Sequence, residues 1–185
     1  EDSLTKDDLY WLIDQMAINK ITRLSMCGGE PFLFDGITEA VAYAWGKNIR
    51  CNITTNGITV HKLEEKKIKI LKDCETEINI SIDSFQDHIQ EKTRGSEHVL
   101  EDAVKSIHVL NNNAIPVTVL SVISEFNYFD LYNSLITAYE NGVYQVLYQP
   151  VIYYSNYPER PVIENKRQMN VSAEKLEILI NQLYK

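Results

Sequence analysis

The sequence predicts an α/β fold in which a parallel sheet curves into a partial barrel with helices on its outside. Amphipathic helical segments alternate with five short strands, a pattern typical of βα units joined by right-handed crossovers. Two of the strands are polar on one face, whereas a parallel sheet covered by helices on both faces is apolar throughout. A closed barrel would also fill its interior with aliphatic side chains. The polar faces therefore indicate a splayed, incomplete barrel with a polar interior, or alternatively a sheet with one face in bulk solvent.

Helices and strands follow one another from the first residues onward. Thr5 can cap a first helix, because apolar residues follow it at the spacing of one helical face. Asp35 can open the second helix and Gly46 can end it. The predicted strands are 21–27, 50–55, 77–83, 116–123 and 144–152. The other predicted helices are 62–73, 97–112, 128–141 and a last one capped by Ser172, with a polar connection between 83 and 97.

Composition limits the class of protein. The chain has 185 residues, enough for one domain with its own core, and we divide it into a barrel over 1–155 and a loop and C-terminal helix over 156–185 that packs on or extends this core. A net charge of −8 argues against nucleic-acid binding and against a basic membrane-binding patch. No apolar run is long enough to span a membrane, and the acidic first residues do not resemble a signal peptide. We therefore expect a cytoplasmic protein without nucleic-acid or membrane partners.

The cysteines are three and widely spaced, at positions 27, 51 and 74. An odd number at such spacing predicts neither a disulfide framework nor a local zinc site. Free thiols in a reducing compartment are the simplest interpretation, and we expect no metal ligand among them.

Polar residues gather where the predicted strands end. Glu30, Asn56 and Asp83 each lie at the carboxyl end of a strand, which is where α/β proteins bind ligands. In Cys27-Gly28-Gly29-Glu30-Pro31 the glycines allow a sharp turn, so that Glu30 and exposed glycine carbonyls can hold an ammonium group. A tight turn with a solvated glutamate is the alternative. Asn56-Gly57 can likewise meet a ligand or simply form a turn.

The third predicted strand alternates strictly between its two faces. Isoleucines at 78, 80 and 82 share one face, and Asn79, Ser81 and Asp83 share the other. Asp83 can bind a pair of hydroxyl groups or cap the backbone of the next loop. Arg94 can clamp a carboxylate with its planar fork, or it can be a solvated loop arginine.

Four motifs in order carry a family resemblance: Gly28-Gly29-Glu30-Pro31, Thr54-Thr55-Asn56-Gly57, Ser81-Ile82-Asp83-Ser84 and Thr93-Arg94-Gly95. Together they resemble the radical S-adenosylmethionine (radical SAM) superfamily, and most of all its branch with the molybdenum-cofactor cyclase and the anaerobic sulfatase-maturating enzymes. The resemblance runs from about residue 5 to about residue 153. It implies a partial (β/α)6 barrel whose first strand is absent from this chain.

The resemblance also implies which residues bind S-adenosylmethionine (SAM), although it identifies no catalytic residue. The amino group of the methionine moiety would be held by Gly28, Gly29, Glu30 and Pro31. Ribose and carboxylate contacts map to Ser81, Asp83 and Arg94, and Asn56 lies near the same pocket. Adenine contacts map to Ser121 to Ser124 and to Gln149 to Val151.

One departure from the family dominates. Its [4Fe-4S] cluster is bound by a Cys-x-x-x-Cys-x-x-Cys loop after the first strand, and this sequence has no such motif. Because the chain begins with the helix that would follow that loop, we expect the cluster ligands upstream and this chain alone to be inactive. A smaller departure is Asp87-His88, where relatives more often read His-Asp.

The resemblance predicts a fragment of a radical SAM enzyme. Such an enzyme cleaves SAM reductively to a 5′-deoxyadenosyl radical, which abstracts hydrogen from a small-molecule or peptide substrate. A reductant such as flavodoxin or ferredoxin would supply the electron. Two alternatives stay open: a SAM-binding or scaffold domain without a cluster, and a βα-barrel lyase or isomerase using Glu30 and Asp83 as acid and base.

Overall fold

Seven α-helices and five β-strands make up the computed structural model, which describes residues 4–95, 99–151 and 171–183. The strands are β1 Arg23–Met26, β2 Arg50–Thr55, β3 Glu77–Ser81, β4 Val117–Ile123 and β5 Gln145–Pro150. The helices are α1 Lys6–Ile18, α2 Ile37–Trp45, α3 Glu65–Asp73, α4 Asp87–Arg94, α5 Val99–Asn112, α6 Leu131–Glu140 and α7 Ala173–Leu183. Short 3₁₀ turns cover Pro31–Leu33 and Val60–Lys62.

The sheet confirms the predicted architecture. All five strands are parallel, and they lie side by side in chain order from β1 to β5. Right-handed crossovers between strands in this order place the connecting helices on one side of the sheet, as in a barrel. The fold is therefore an α/β partial barrel, with β1 and β5 as the outermost strands of the sheet that the structure describes.

The two faces of the sheet differ in polarity as the strand patterns predict. The face that packs against the helices is apolar, and its side chains are at most 2% exposed. They belong to Cys51, Ile53, Ile78, Ile80, Ile82, Val117 and Val119. The opposite, concave face carries half-buried polar side chains: Asn52, Thr54, Asn79, Ser81 and Thr118. Asn79 Nδ2 donates to Asn52 Oδ1 at 3.0 Å and lies 3.3 Å from Thr54 Oγ1, so the amide and hydroxyl groups of this face partly satisfy one another.

Local capping explains where helices begin. Thr5 forms a capping box with Asp8, whose main-chain N–H donates to Thr5 Oγ1 at 3.2 Å, as predicted. The prediction that Asp35 opens α2 is wrong by one residue, because Gly36 precedes the helix with a φ of +89° that favours glycine. Gly46 ends α2 as expected.

Helix α4 lies where the sequence predicted only a polar connection. Its eight residues include just two buried side chains, those of Ile89 and Gln90. With one buried apolar residue, the segment has no apolar periodicity that would predict a helix.

The C-terminal helix contacts the sheet through a small apolar cluster. Leu179 packs with Ile123 and Leu131, and Tyr148 and Leu176 pack against them. Ser172 Oγ accepts a hydrogen bond from the main-chain N–H of Lys175 at 3.3 Å, which confirms the predicted cap. The predicted loop after residue 155 lies outside the described residues, and the division of the chain at 155 stays a prediction.

Among the helices that the structure describes, none is both long and apolar enough to cross a lipid bilayer.

We predict that the 185-residue chain self-associates through strand β1, because within the described residues this strand pairs only with β2 and its other edge has no partner strand. Sedimentation velocity should show dimers or larger species that grow with concentration. Ser25→Lys, which places a charge on this exposed edge strand, should reduce association, and Asn133→Lys on the exposed side of α6 should not. A monomer at every concentration would contradict the prediction.

Candidate functional site

Glu30 joins the carboxyl ends of β1 and β2. Its half-buried carboxylate accepts hydrogen bonds from Thr55 Oγ1 at 2.6 Å, from the Asn56 N–H at 2.8 Å and from the Phe32 N–H at 3.2 Å. The carboxylate is therefore fixed in place, and it retains acceptor capacity for one more donor. Sequence analysis missed Thr55, because strand alternation assigns it to the apolar face.

The glycine turn before Glu30 borders open space. Gly28 and Gly29 adopt φ values of +97° and +54°, and both are exposed. A Cβ atom added to either residue would meet no other atom within 4 Å. The turn is therefore open to its surroundings, and the expectation that its main-chain carbonyls hold an ammonium group stays a prediction.

The Asn56-Gly57 turn is packed tightly, in contrast to the glycine turn. Asn56 Oδ1 accepts a hydrogen bond from the Ile58 N–H at 2.9 Å, so its side-chain oxygen serves the turn and its amide nitrogen can face a ligand. Ser106 Oγ donates to the Gly57 carbonyl at 2.5 Å. Gly57 has a φ of +80°, and a side chain at this position would collide with Ile80 and Ala103 in the core.

Asp83 and Arg94 form a second polar group at the ends of β3 and β4. Asp83 is 5% exposed, and its Oδ1 accepts hydrogen bonds from Arg94 Nη2 at 2.7 Å and from the Val122 N–H at 2.8 Å. The interpretation of Arg94 as a merely solvated arginine is therefore wrong. Its planar guanidinium has further N–H groups that can donate hydrogen bonds to a ligand carboxylate.

The predicted adenine-binding segments adjoin this second group. Ser121 is buried, and its Oγ lies 3.4 Å from the Asp83 carbonyl oxygen. Gln149 is exposed opposite Val122, and the Val151 N–H continues the pairing of β4 and β5 by donating to the Ile123 carbonyl at 3.1 Å. These segments therefore lie side by side at one edge of the sheet.

The predicted site residues thus fall into two groups. One contains Glu30, Asn56 and the glycine turn, and the other contains Asp83, Arg94 and Ser121. Ser81 is half-buried on the concave face of β3, two residues before Asp83. Within the described residues, no hydrogen bond joins the two groups directly.

Sequence analysis also missed the side chains that hold the Asp83 main chain. Asn127 Nδ2 donates to the carbonyls of Asp83 at 2.7 Å and Val122 at 2.9 Å. Asn127 also caps Ser124, whose N–H donates to Asn127 Oδ1 at 2.7 Å. The spacing of Ser124 and Asn127 after a strand was the available signal, because such residues often form side-chain-capped turns.

The cysteines do not fit an iron–sulfur cluster, which needs thiolates grouped around it. Burial raises the pKa of Cys51 to about 11 and also raises the pKa of the Cys74 thiol, whereas Cys27 is exposed. In the part of the chain that the structure describes, no three His, Cys, Asp or Glu side chains are arranged to hold a metal ion.

A cavity of about 590 Å³ lies at the opposite, amino ends of the strands. It is bordered by the ion pair of Arg50 and Glu75, whose atoms are 2.8 Å apart, and by Tyr144. None of the predicted site residues lines it. Ligands of βα folds bind at the carboxyl ends, so we place the candidate site there.

Comparison with known proteins identifies relatives for most of the chain. A family model described as the Radical SAM superfamily matches residues 1–133. The Fe-coproporphyrin III synthase of Methanosarcina barkeri is 27% identical over 131 residues, which are 71% of this chain and 32% of that protein. The GTP 3′,8-cyclase of Clostridium perfringens is 29% identical over 151 residues, 76% of this chain and 43% of that protein. The chain therefore spans well under half the length of these curated relatives.

Solved structures share the fold. SuiB of Streptococcus suis bound to S-adenosylmethionine has a TM-score of 0.76 and 16% identity, covering 100% of this chain and 41% of that one. SuiB bound to the precursor peptide SuiA has a TM-score of 0.78 and 17% identity, covering 100% and 40%. At this identity the likeness concerns the fold alone.

We predict that Gly57→Ala destabilises the protein far more than Gly29→Ala. A Cβ at Gly57 would lie 2.9 Å from Ile80 Cγ2 and 3.2 Å from Ala103 Cα, and φ is positive, so we expect a loss of roughly 2–4 kcal/mol. At Gly29 only the positive φ disfavours alanine, so we expect the free energy of unfolding to fall by about 1–2 kcal/mol. Urea unfolding of both variants would test this, and equal losses would contradict it.

Proposed function

The chain belongs to the radical SAM superfamily, and from this premise we propose that it forms the SAM-binding part of a radical SAM enzyme. The observation that carries the proposal is the open glycine turn beside the fixed carboxylate of Glu30, with the Asp83–Arg94 pair at a nearby strand end. When bound and reduced, SAM supplies a 5′-deoxyadenosyl radical that removes a hydrogen atom from a substrate.

Each part of SAM is assigned to residues of complementary charge or polarity. The ammonium group of SAM is held by the Glu30 carboxylate and by carbonyls of the Gly28-Gly29 turn, and Pro31 fixes the chain direction after it. The remaining donors of Arg94 bind the SAM carboxylate, since its guanidinium is held in place by Asp83. The ribose and adenine are proposed to contact Asn56, Ser81, Asp83, Ser121, Gln149 and Val151.

The iron–sulfur cluster of the family finds no fitting ligands in this chain. We infer that its thiolates come from residues outside this chain in the intact protein, and that this chain alone is inactive. An external one-electron donor such as flavodoxin or ferredoxin is the expected reductant. Free, buried thiols suit a reducing, cytoplasmic setting.

The acid–base alternative receives no support from the two carboxylates. Glu30 accepts three hydrogen bonds, and Asp83 is paired with a guanidinium, so both are held as acceptors. They also belong to different groups of the site. The alternative of a scaffold domain without a cluster is distinguished by the iron content of the intact protein.

A peptide is the substrate class that the concave face favours. Each arginine beside this face is paired with a carboxylate: Arg23 with Glu77 at 2.6 Å, Arg50 with Glu75 at 2.8 Å and Arg94 with Asp83 at 2.7 Å. The arginines beside the described concave face are thus already paired and are less available to a polyphosphate. Its amides and hydroxyls can form hydrogen bonds with the main chain of a peptide. The neighbouring Leu120 and Leu147 can contact apolar side chains of the peptide.

SAM binding tests the proposal directly. The intact protein, purified without oxygen, should contain iron and bind SAM in isothermal titration calorimetry. Asp83→Asn should weaken binding by tenfold or more, because the ion pair that orients Arg94 is lost, at a structural cost of about 1–3 kcal/mol. Asp14→Asn removes a more exposed ion pair, between α1 and Lys47 just after α2, and should leave SAM affinity unchanged. Unchanged affinity in Asp83→Asn would contradict the assignment.

The substrate proposal predicts a difference between ligands. In the presence of SAM, calorimetry should detect no saturable binding of GTP at submillimolar concentration, because the arginines beside the concave face are already paired with carboxylates. A panel of synthetic peptides, assayed with SAM and dithionite, should contain members that raise the rate of 5′-deoxyadenosine formation. Tight GTP binding would count against a peptide substrate.

A further inference from the structure

The loop after β3 is held by side chains instead of by main-chain partners. Four successive N–H groups, those of residues 83–86, donate to side-chain oxygens. Gln90 Oε1 accepts the first two, from Asp83 at 2.8 Å and from Ser84 at 3.2 Å. Ser134 Oγ accepts the third at 3.0 Å, and Ser84 Oγ accepts the fourth at 2.9 Å.

Gln90 is almost completely buried within this network, with 1% exposure. Its oxygen faces two N–H groups, and its amide nitrogen is buried with no hydrogen-bond partner in the described part of the chain. An unpartnered buried donor is unfavourable, and the two hydrogen bonds that the Gln90 oxygen accepts offset this cost. That oxygen holds the main chain of Asp83.

The same helix face holds the Asp83 side chain as well. Arg94 follows Gln90 by four residues on α4, one helical turn later, and its guanidinium pairs with the Asp83 carboxylate at 2.7 Å. Helix α4 thus fixes Asp83 at two points, its N–H and its carboxylate. The position of the Asp83–Arg94 pair therefore depends on how α4 packs against the loop after β3.

We propose that Gln90 is a positioning residue for SAM binding, which acts through Asp83 and Arg94 without touching the ligand. The inference rests on the proposed function. Without the Gln90 oxygen, the N–H groups of Asp83 and Ser84 lose their acceptor in a buried place, and the loop shifts to find another. The carboxylate and the guanidinium then leave the geometry that binds SAM.

The test is calorimetry of SAM binding to the intact protein carrying Gln90→Met, which keeps the length of the side chain and removes the acceptor. We expect affinity to fall by about tenfold or more, as for the loss of one buried hydrogen-bond acceptor. Asn111→Leu is the matched control, because Asn111 Nδ2 donates to the Asn141 and Gly142 carbonyls, each at 3.1 Å, near the amino end of β5. It should lower the melting temperature similarly and leave SAM affinity unchanged.

A double-mutant cycle separates positioning from general stability. In an Asp83→Ala background there is no side chain left to position, so adding Gln90→Met should weaken SAM binding by less than about twofold. Should Gln90→Met fail to fold, Gln90→Asn places its acceptor one methylene short of the same N–H groups and should likewise weaken SAM binding by about tenfold.

Several results would overturn the inference. These are unchanged affinity in Gln90→Met or Gln90→Asn, an equal loss in Asn111→Leu, or additive losses in the cycle. If the unsubstituted protein itself bound no SAM, the proposed function would fail and this inference with it. Normal binding by the unsubstituted protein with any of the other results would refute the role of Gln90 alone.

Discussion

Parallel strands that end at one edge leave main-chain groups without partners, and each buried group must find one. In this protein, half-buried and buried side chains meet that requirement at the candidate site. Glu30 accepts the N–H groups of Phe32 and Asn56, and Gln90 accepts those of Asp83 and Ser84. The position of the loops that carry Asn56 and Asp83 therefore depends on side chains from other parts of the chain.

The polarity of the concave face follows from the order of the strands. Consecutive parallel strands place their helices on one side, so the isoleucines of β2 and β3 become the core and the alternating residues face the interior. The Asn79 side chain forms hydrogen bonds with those of Asn52 and Thr54 on the neighbouring strand, which partly satisfies their polar groups. The polar face therefore keeps hydrogen-bonding groups available to a ligand while the apolar face supplies the packing that holds the sheet.

Local signals made much of this fold predictable. Strand β2 was predicted with its observed bounds, because alternation and the following Asn56-Gly57 turn are both local. Helix α4 was not predicted, since its burial rests on Gln90 more than on an apolar stripe. Thr55 was assigned to the core by alternation, and nothing local shows that Glu30, 25 residues earlier, would accept its hydroxyl. Motifs locate candidate ligand contacts, whereas the side chains that hold them depend on tertiary packing.

The two carboxylates of the site illustrate how structure and binding are combined. Glu30 and Asp83 each accept main-chain N–H groups from a neighbouring element, so each is ordered before a ligand arrives. A ligand that pairs with an ordered group loses less conformational entropy than one that must first immobilise it. Asp83 extends this effect to Arg94, whose long side chain would otherwise sample many rotamers. The hydrogen bonds that close the ends of the sheet therefore also preorganise the charges that would meet SAM.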